Sequence, residues 1–436
     1  MKFYDRTEEL SLLHTIAQRS AKQAEFTLLS GRRRVGKTAL LVKAFQNASP
    51  VYLFVSRKSE ALLCAEYQQV ISEALGLQIF GSASTFKELF EQLMRYAQQQ
   101  HLTLIIDEFQ DFERVNPAIF SDIQDVWDRY KDKAQVNLIV SGSIYSLLIR
   151  IFENKKEPLF GRLTSKMVLQ PFTIKTLKKI LHDHNPNYQP EDLLCLYMLT
   201  GGVPKYVSLL MDSQSTTKKA MLSFVCSMGS PFLTEGKEIL VSEFGKEYST
   251  YFSVMQLIAS GKTTRVEIDS IIGKNTGAYL QNLDEDYSLI SKNQPLFAKP
   301  GSRNIRWRIK DCYLRFWFRF IYANQSLVET GRYDLLHELV GTHYEDFTGL
   351  TLEDYFRTKY QEEGRFTRVA SYWDRKGASE IDLIALNEFD KAATIAEVKR
   401  NPRKISLPGL QTKAAALEPE LKPYAVSFEA LSLDDM

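Results

Sequence analysis

The sequence predicts an α/β multidomain protein whose N-terminal part is built on a parallel sheet. Over roughly the first 170 residues, four short apolar segments alternate with amphipathic helical segments, which is typical of βαβ units with buried strands. A glycine-rich loop directly follows the first of these segments. The pattern then changes near residues 245 and 331, which indicates further domains.

The composition is that of a folded protein and excludes intrinsic disorder as the main state. Of 436 residues, 44% are hydrophobic and 25% are charged, and the formal net charge of +2 excludes a strongly basic binder on average. We find no segment of the ~20 apolar residues that a membrane helix needs and no signal peptide. The four cysteines form no CxxC pair. We therefore expect a cytoplasmic protein without structural zinc or disulfides.

The elements follow in order along four predicted domains. In residues 1–170 the predicted strands are Phe26–Ser30, Val51–Val55, Thr103–Ile106 and Asn137–Ser141. Residues 171–244 are mostly helical, with a turn at Gly201-Gly202-Val203-Pro204, and predict a helical lid. Residues 245–330 show three short helical patterns and two strand-like segments, the outline of a winged helix-turn-helix.

The last predicted domain is residues 331–436. A helix at about 336–359 precedes predicted strands at Phe366–Trp373, Glu380–Leu386 and Ala393–Val398, and a final helix and strand follow. The charge differs between the last two domains. Residues 245–330 carry 12 basic and eight acidic residues, whereas residues 331–436 carry 14 basic and 19 acidic residues. The near-neutral total is therefore an average of unlike domains.

A phosphate-binding loop is the strongest motif. Residues Gly31-Arg32-Arg33-Arg34-Val35-Gly36-Lys37-Thr38 match G-x-x-x-x-G-K-[ST], after a predicted strand and before a helical segment that begins with Ala39. Backbone amides and a helix N-terminus favour phosphate there, Lys37 would reach the β- and γ-phosphates, and Thr38 would bind Mg²⁺. The alternative is a chance glycine turn.

An acidic pair completes the predicted ATP site. Asp107 and Glu108 end an apolar strand, so Asp107 is expected to hold Mg²⁺ through water and Glu108 to act as general base. Asp107 could instead cap a helix. Ser141 or Ser143, at the end of the next strand, could orient the water or simply form a turn.

Together these motifs resemble the archaeal-type ATPases of the AAA+/STAND lineage. The resemblance rests on Phe3-Tyr4-Asp5-Arg6, on Asp107-Glu108-Phe109-Gln110, on Gly161-Arg162 and on the turn at Gly201. It implies that Arg6 lies near the adenine. Arg162 is either an arginine finger acting in a homo-oligomer or a surface ion pair.

The winged-helix segment raises the question of DNA. Six basic residues and no acidic residue lie within 291–310: Lys292, Lys299, Arg303, Arg306, Arg308 and Lys310. Such a wing would contact DNA phosphates, although acidic residues 284–286 end the expected recognition helix. The domain could instead be only a connector. The aromatic run Tyr313–Tyr322 is expected to pack between domains rather than to stack on bases.

The C-terminal domain resembles the PD-(D/E)XK nuclease fold, and the ATPase family carries such a domain of uncharacterised function. Asp382, Glu397 and Lys399 fall on neighbouring predicted strands, where two carboxylates and a lysine can bind Mg²⁺ and activate water. Glu345, from the preceding helix, is the expected third metal ligand, with Glu353 as the alternative. The site could equally be a relic that binds without cleaving.

These motifs predict a Mg²⁺-dependent ATPase that couples its nucleotide state to a winged helix and a nuclease-like domain acting on DNA. The alternative is a slow ATPase switch whose C-terminal domain is an inactive protein- or DNA-docking module. No feature predicts a membrane partner.

Overall fold

The computed structural model describes residues 1–76, 83–244, 248–375 and 379–436, and these residues form two compact units. The N-terminal unit is Asp5–Gln170, and the C-terminal unit is Pro171–Met436 together with Met1–Tyr4. The predicted domain boundary at residue 245 lies outside the described residues.

A five-stranded parallel sheet organises the N-terminal unit. Its strands, in the spatial order β2-β3-β4-β1-β5, are β1 (Glu25–Ser30), β2 (Val51–Phe54), β3 (Leu102–Asp107), β4 (Val136–Gly142) and β5 (Ser165–Val168). Every residue of β1, β3 and β4 is buried, because apolar clusters cover both faces of the sheet.

Helices flank this sheet. They are α1 (Thr7–Ser20), α2 (Lys37–Ala44), α3 (Glu60–Leu75), α4 (Phe86–Tyr96), α5 (Phe112–Val115), α6 (Ile119–Tyr130) and α7 (Tyr145–Glu153). Helix α4 shows why they form. The hydroxyl of Thr85 caps its first turn, and its buried residues Phe86, Leu89, Phe90 and Leu93 recur at helical spacing.

The four predicted strands are present, and the structure adds β5. Only Met167 is buried in that strand, since it lies at the edge of the sheet beside β1. A strand with a single buried residue lacks the apolar run that identified the other four.

The C-terminal unit begins with five helices. They are α8 (Ile174–His184), α9 (Pro190–Thr200), α10 (Pro204–Asp212), α11 (Lys218–Val225) and α12 (Pro231–Phe244). The predicted turn at Gly201 and Gly202 lies between α9 and α10. A Cβ atom on Gly202 would lie 2.3 Å from the carbonyl oxygen of Phe172, so the turn needs glycine for close packing.

Three helices and a hairpin follow. They are α13 (Tyr248–Ala259), α14 (Arg265–Ile272), α15 (Gly277–Gln281), β6 (Ile290–Asn293) and β7 (Arg306–Ile309). Thr264 and Glu267 form a capping box at the start of α14. Strands β6 and β7 are antiparallel.

The remaining elements build a four-stranded sheet behind a long helix. They are α16 (Cys312–Phe316), α17 (Gln325–Glu329), α18 (Tyr333–Glu362), β8 (Arg368–Trp373), β9 (Glu380–Asn387), β10 (Ala392–Val398), α19 (Leu407–Ala415), α20 (Glu418–Leu421) and β11 (Ala425–Leu431). The order is β11-β10-β9-β8, with β11 parallel to β10 and the other pairs antiparallel.

One apolar cluster runs through the C-terminal unit. It includes Phe172 and Leu199 from the first helices, Phe316 and Phe318 from the aromatic run, and Leu383 from β9. The aromatic run is buried, as expected from its composition. Residues 171–244 thus share a core with the last sheet.

Candidate functional site

The glycine-rich loop leaves β1 and enters α2 within six residues. A Cβ atom on Gly31 would lie 2.7 Å from the carbonyl oxygen of Leu169, so only glycine fits this close approach. Gly36 has a φ of 89°, a left-handed conformation that glycine adopts without strain. The two glycines of the motif therefore serve different backbone requirements.

The Lys37 side chain is buried against the loop. Its Nζ donates hydrogen bonds to the carbonyl oxygens of Gly31 at 2.8 Å and Arg32 at 3.2 Å. Burial lowers the pKa of Lys37, while the charges of Glu108 and Asp107 partly offset this effect. The ammonium group is thus held inside the loop, where a phosphate would bind.

Asp107 and Thr38 meet at the end of β3. The Thr38 hydroxyl donates a hydrogen bond to Oδ2 of Asp107 at 3.1 Å. Asp107 also accepts hydrogen bonds from the hydroxyls of Tyr52 and Ser141. Thr38 and Asp107 supply a hydroxyl and a carboxylate side by side, which are oxygen donors that suit Mg²⁺.

Glu108 is fixed by two donors. Its φ of 53° is left-handed, and its Oε2 accepts hydrogen bonds from Ser143 Oγ at 2.9 Å and from Gln110 Nε2. Gln110 is buried at 1% exposure. Of the two candidate serines, Ser143 contacts Glu108 and Ser141 contacts Asp107.

Arg6 lies behind the loop. One nitrogen, Nη2, donates to the carbonyl oxygen of Gln170 at 2.6 Å and lies 3.5 Å from that of Val35, while Nη1 pairs with Glu9 at 3.0 Å. The buried guanidinium thus supports the phosphate loop through the backbone of Val35.

The other loop positions are less enclosed. Arg32 and Arg33 are half-buried, Arg34 and Ala39 are exposed, and Val35 is buried. Arg34 has a φ of 72°, which a non-glycine residue rarely adopts.

Arg162 forms an ion pair within the N-terminal unit. Its Nη2 lies 2.8 Å from Oδ2 of Asp128, and its Nη1 donates to the carbonyl oxygen of Phe160. Exposed pairs of this kind contribute little stability. The ion-pair interpretation therefore has a partner in the structure, and the arginine-finger role stays a prediction.

The C-terminal candidate residues lie at one end of β9 and β10. Oδ2 of Asp382 accepts hydrogen bonds from Lys399 Nζ at 2.8 Å and from the amide of Val398 at 2.9 Å. Glu397 binds Lys413 Nζ at 3.1 Å and the amide of Ser406 at 3.1 Å. Despite burial, these two donors lower the pKa of Glu397. Each carboxylate is thus neutralised by its own lysine.

The structure corrects the choice of the helical glutamate. Glu345 is exposed on α18, whereas Glu353 is largely buried and interacts with the charge of Asp382. Eight residues of α-helix separate the two glutamates, about 12 Å along the axis. Burial raises the pKa of Glu353 to about 7. Glu353, the alternative, is therefore the glutamate near Asp382.

A metal-binding group is not assembled at this site. Among residues 1–76, 83–244, 248–375 and 379–436, no three His, Cys, Asp or Glu side chains are arranged to hold a metal ion. The predicted set of Glu345, Asp382 and Glu397 does not fit, because Glu345 is remote and the other two are engaged with lysines.

The basic hairpin is not a free wing. Arg306 pairs with Glu380 at 2.6 Å and Arg308 pairs with Asp354, both carboxylates of the last domain. The amide of Leu296 donates to the carbonyl oxygen of Ser371 in β8 at 2.9 Å. The contact of Arg306 and Arg308 with DNA stays a prediction, and in the structure both side chains pair with carboxylates of the last domain, on which the hairpin packs.

Some residues of these sites were missed from the sequence. Tyr52 and Gln110 hold the acidic pair, and Asp354 binds three arginines. Tyr52 and Asp354 belong to no motif and meet their partners only through the fold. Of these residues, only Gln110 could have been proposed from the sequence, because it follows Glu108 by two positions in the acidic motif.

A parallel sheet of this order, with a phosphate loop after β1 and an acidic pair after β3, defines the fold of a P-loop ATPase. Comparisons agree. Residues 3–210 match a family described as an ATPase domain predominantly from Archaea. Residues 317–406 match a family described as archaeal and bacterial proteins of unknown function.

Individual relatives are distant. The uncharacterized protein MJECL04 of Methanocaldococcus jannaschii is 28% identical over 407 residues, covering 91% of this chain and 87% of that one. The Walker-type ATPase PABY2304 of Pyrococcus abyssi is 19% identical with a TM-score of 0.55, over 72% of this chain and 96% of that one. Cdc6p of Pyrobaculum aerophilum is 14% identical with a TM-score of 0.35, and the match covers 75% of this chain and 94% of that one. The chain thus shares the α/β fold of the PABY2304 ATPase over most of that protein's length, and it has a separate C-terminal sheet. Within the described ranges no helix is long and apolar enough to cross a bilayer.

Proposed function

We propose that the N-terminal unit binds ATP with Mg²⁺ and hydrolyses it. The observation that carries this proposal is the convergence of Lys37, Thr38, Asp107 and Glu108 around one glycine-rich loop. The residues fit the metal, because Thr38 and Asp107 already present adjacent oxygen donors. Mg²⁺, when bound there, neutralises charge on the phosphate oxygens.

Each side chain then has a distinct role. Lys37 exchanges its carbonyl partners for phosphate oxygens, and the loop amides at the start of α2 bind the same group. Glu108 accepts a proton from the attacking water through Oε1, because Oε2 is occupied by its two donors. Arg6 keeps the loop in place near the predicted adenine position.

The test is ATP binding and turnover by the purified full chain. Lys37→Ala should abolish ATP binding, and Glu108→Gln should keep binding while lowering turnover by at least about 100-fold. Lys43→Ala is the matched control, since Lys43 is an exposed lysine of the same helix. Turnover equal to wild type in both site variants would refute the proposal.

Arg162 is tested separately as a finger in a homo-oligomer. On that hypothesis, Arg162→Ala lowers turnover about 1,000-fold, and turnover of the wild type depends on protein concentration. Asp128→Ala removes the ion-pair partner and should leave turnover intact. Unchanged turnover in Arg162→Ala would show that Arg162 is not an arginine finger and serves only in the ion pair with Asp128.

A second candidate function concerns the C-terminal unit, which we propose docks on DNA in a manner that depends on nucleotide state. The order helix, three antiparallel strands, helix, parallel strand resembles the PD-(D/E)XK arrangement, and α13–α15 with the hairpin resembles a winged helix. Lysine-paired carboxylates and the lack of an assembled metal group in the described residues favour docking over cleavage.

Cleavage by Asp382, Glu397 and Lys399 stays a prediction with a direct test. Plasmid nicking in Mg²⁺ or Mn²⁺ is compared among wild type, Asp382→Ala and Glu418→Ala, an exposed control on α20. Nicking that is lost only in Asp382→Ala would establish a nuclease. Equal behaviour of all three proteins would leave a docking module and a slow ATPase switch.

A further inference from the structure

One largely buried carboxylate binds three arginines in the C-terminal unit. Asp354 on α18 accepts hydrogen bonds from Arg308 of β7, Arg315 of α16 and Arg357 of α18, the last at 2.6 Å. These three guanidinium groups hold the pKa of Asp354 far below its usual range. A single negative charge thus faces three positive charges in a poorly solvated place.

Nearby carboxylates balance this charge only in part. Glu353 lies 3.6 Å from Arg357, so two carboxylates stand against the three arginines. Glu267 caps α14, Glu380 pairs with Arg306, and Asp284 lies 3.9 Å from Lys310. The cluster around Asp354 therefore keeps an excess of positive charge.

These cations line a cleft of about 800 Å³ between the hairpin and α18. The cations are Arg306, Arg308, Lys310, Arg315 and Arg357. The Nε of Arg315 is fully buried and has no hydrogen-bond partner. The local excess of positive charge calls for an anion, which the cleft could admit.

The spacing of the cations indicates what kind of anion. Arg306 and Arg308 alternate along β7, so they lie on one face about 6.6 Å apart, and Lys310 follows the last residue of the strand and also lines the cleft. A row of cations at regular intervals suits a chain of phosphates better than a single phosphate. The cleft also reaches the candidate strand β9, because Arg357 Nη1 donates to the carbonyl oxygen of Asp382 at 3.1 Å.

We propose that this cleft binds the phosphodiester backbone of a single DNA strand and directs it toward Asp382. The inference rests on the proposed DNA-docking function and gives it a location between the hairpin and α18. The proposed DNA contact surface is therefore the row of cations inside the cleft and not the outer surface of a wing.

The experiment measures binding of a fluorescein-labelled single-stranded DNA to the full chain by anisotropy across a salt series. Arg308→Gln should weaken binding about tenfold and lower the salt slope by about 0.7, the value for one phosphate contact. Arg303→Gln is the matched control, since it removes an exposed charge of the same hairpin outside the cleft. It should stay within about twofold of wild type. Glu353→Gln should tighten binding by removing a competing carboxylate.

A second variant guards against misfolding. Arg308→Lys keeps the charge beside Asp354 and should bind within about threefold of wild type, with a circular dichroism spectrum that is unchanged. Restored binding in this variant assigns the loss in Arg308→Gln to charge.

Three outcomes would overturn the inference. Equal losses in Arg308→Gln and Arg303→Gln would move DNA docking outside the cleft without refuting docking. No binding by wild type at low salt would refute docking itself. Binding of pyrophosphate, lost in Arg308→Gln, without binding of DNA would identify a free phosphate compound as the ligand.

Discussion

The Thr38 hydroxyl and the Asp107 carboxylate lie 3.1 Å apart although 69 residues separate them in the chain. Parallel strands β1 and β3 end at the same edge of the sheet, which brings the residues after them together. Both side chains therefore face the point at which Mg²⁺ would join the loop to the phosphates.

Removal of the Thr38 hydroxyl should weaken the use of Mg²⁺. We expect Thr38→Ala to raise the Mg²⁺ concentration for half-maximal ATPase activity about tenfold, because one oxygen ligand is lost. Thr38→Ser keeps the hydroxyl and should behave like wild type. A magnesium titration of turnover measures both, and an unchanged midpoint in Thr38→Ala would contradict the assignment.

Gln110 should position Glu108. Gln110→Leu removes a donor to Oε2, so we expect kcat to fall about tenfold while KM changes less than about twofold.

The exposed Gln98→Leu is the control for Gln110→Leu. Gly142→Ala should reproduce the defect, because a Cβ there would lie 2.0 Å from Oε1 of Gln110. A rise in KM with constant kcat would instead indicate a role in binding.

Glu353 should make stability depend on pH. Its folded pKa of about 7 exceeds that of an unfolded glutamate, so the folded state binds more protons and stability falls as pH rises from about 4.3 to 7. The charges that face it are those of Arg357, Asp382, Arg308 and Asp354.

Glu353→Gln removes this ionisation. The difference in the free energy of unfolding between the variant and wild type should be about 1–3 kcal/mol more in favour of the variant at pH 8 than at pH 4. Urea unfolding at the two pH values measures the difference. A variant that loses stability mainly at pH 8 would show that ionised Glu353 is stabilising through Arg357.

Two helical glycines should respond oppositely to alanine. A Cβ on Gly236 would lie 2.4 Å from the Trp317 ring, so Gly236→Ala should destabilise the protein by about 1–3 kcal/mol. Gly341 on α18 has open space around it, so Gly341→Ala should stabilise it by about 0.5–1 kcal/mol. Thermal unfolding of the two variants tests this contrast, and equal shifts would contradict it.

Local patterns carried most of the fold prediction. Strands β1 to β4 could be predicted because a buried parallel strand is a continuous apolar run, and the phosphate loop because its residues are consecutive. Strand β5 could not, since it buries only Met167. The choice between Glu345 and Glu353 also failed. They lie about 80° apart around one long helix, so the sequence leaves open which one approaches Asp382.

The sequence by itself determined the class of the N-terminal fold and the residues of its phosphate loop, because both depend on neighbours in the chain. The tertiary structure alone decided that Arg306 and Arg308 turn toward the last domain and that Asp354 gathers three arginines. The physical reason is that the sequence identifies which residues are charged, whereas their ion-pair partners are set by long-range packing that brings distant helices and strands together.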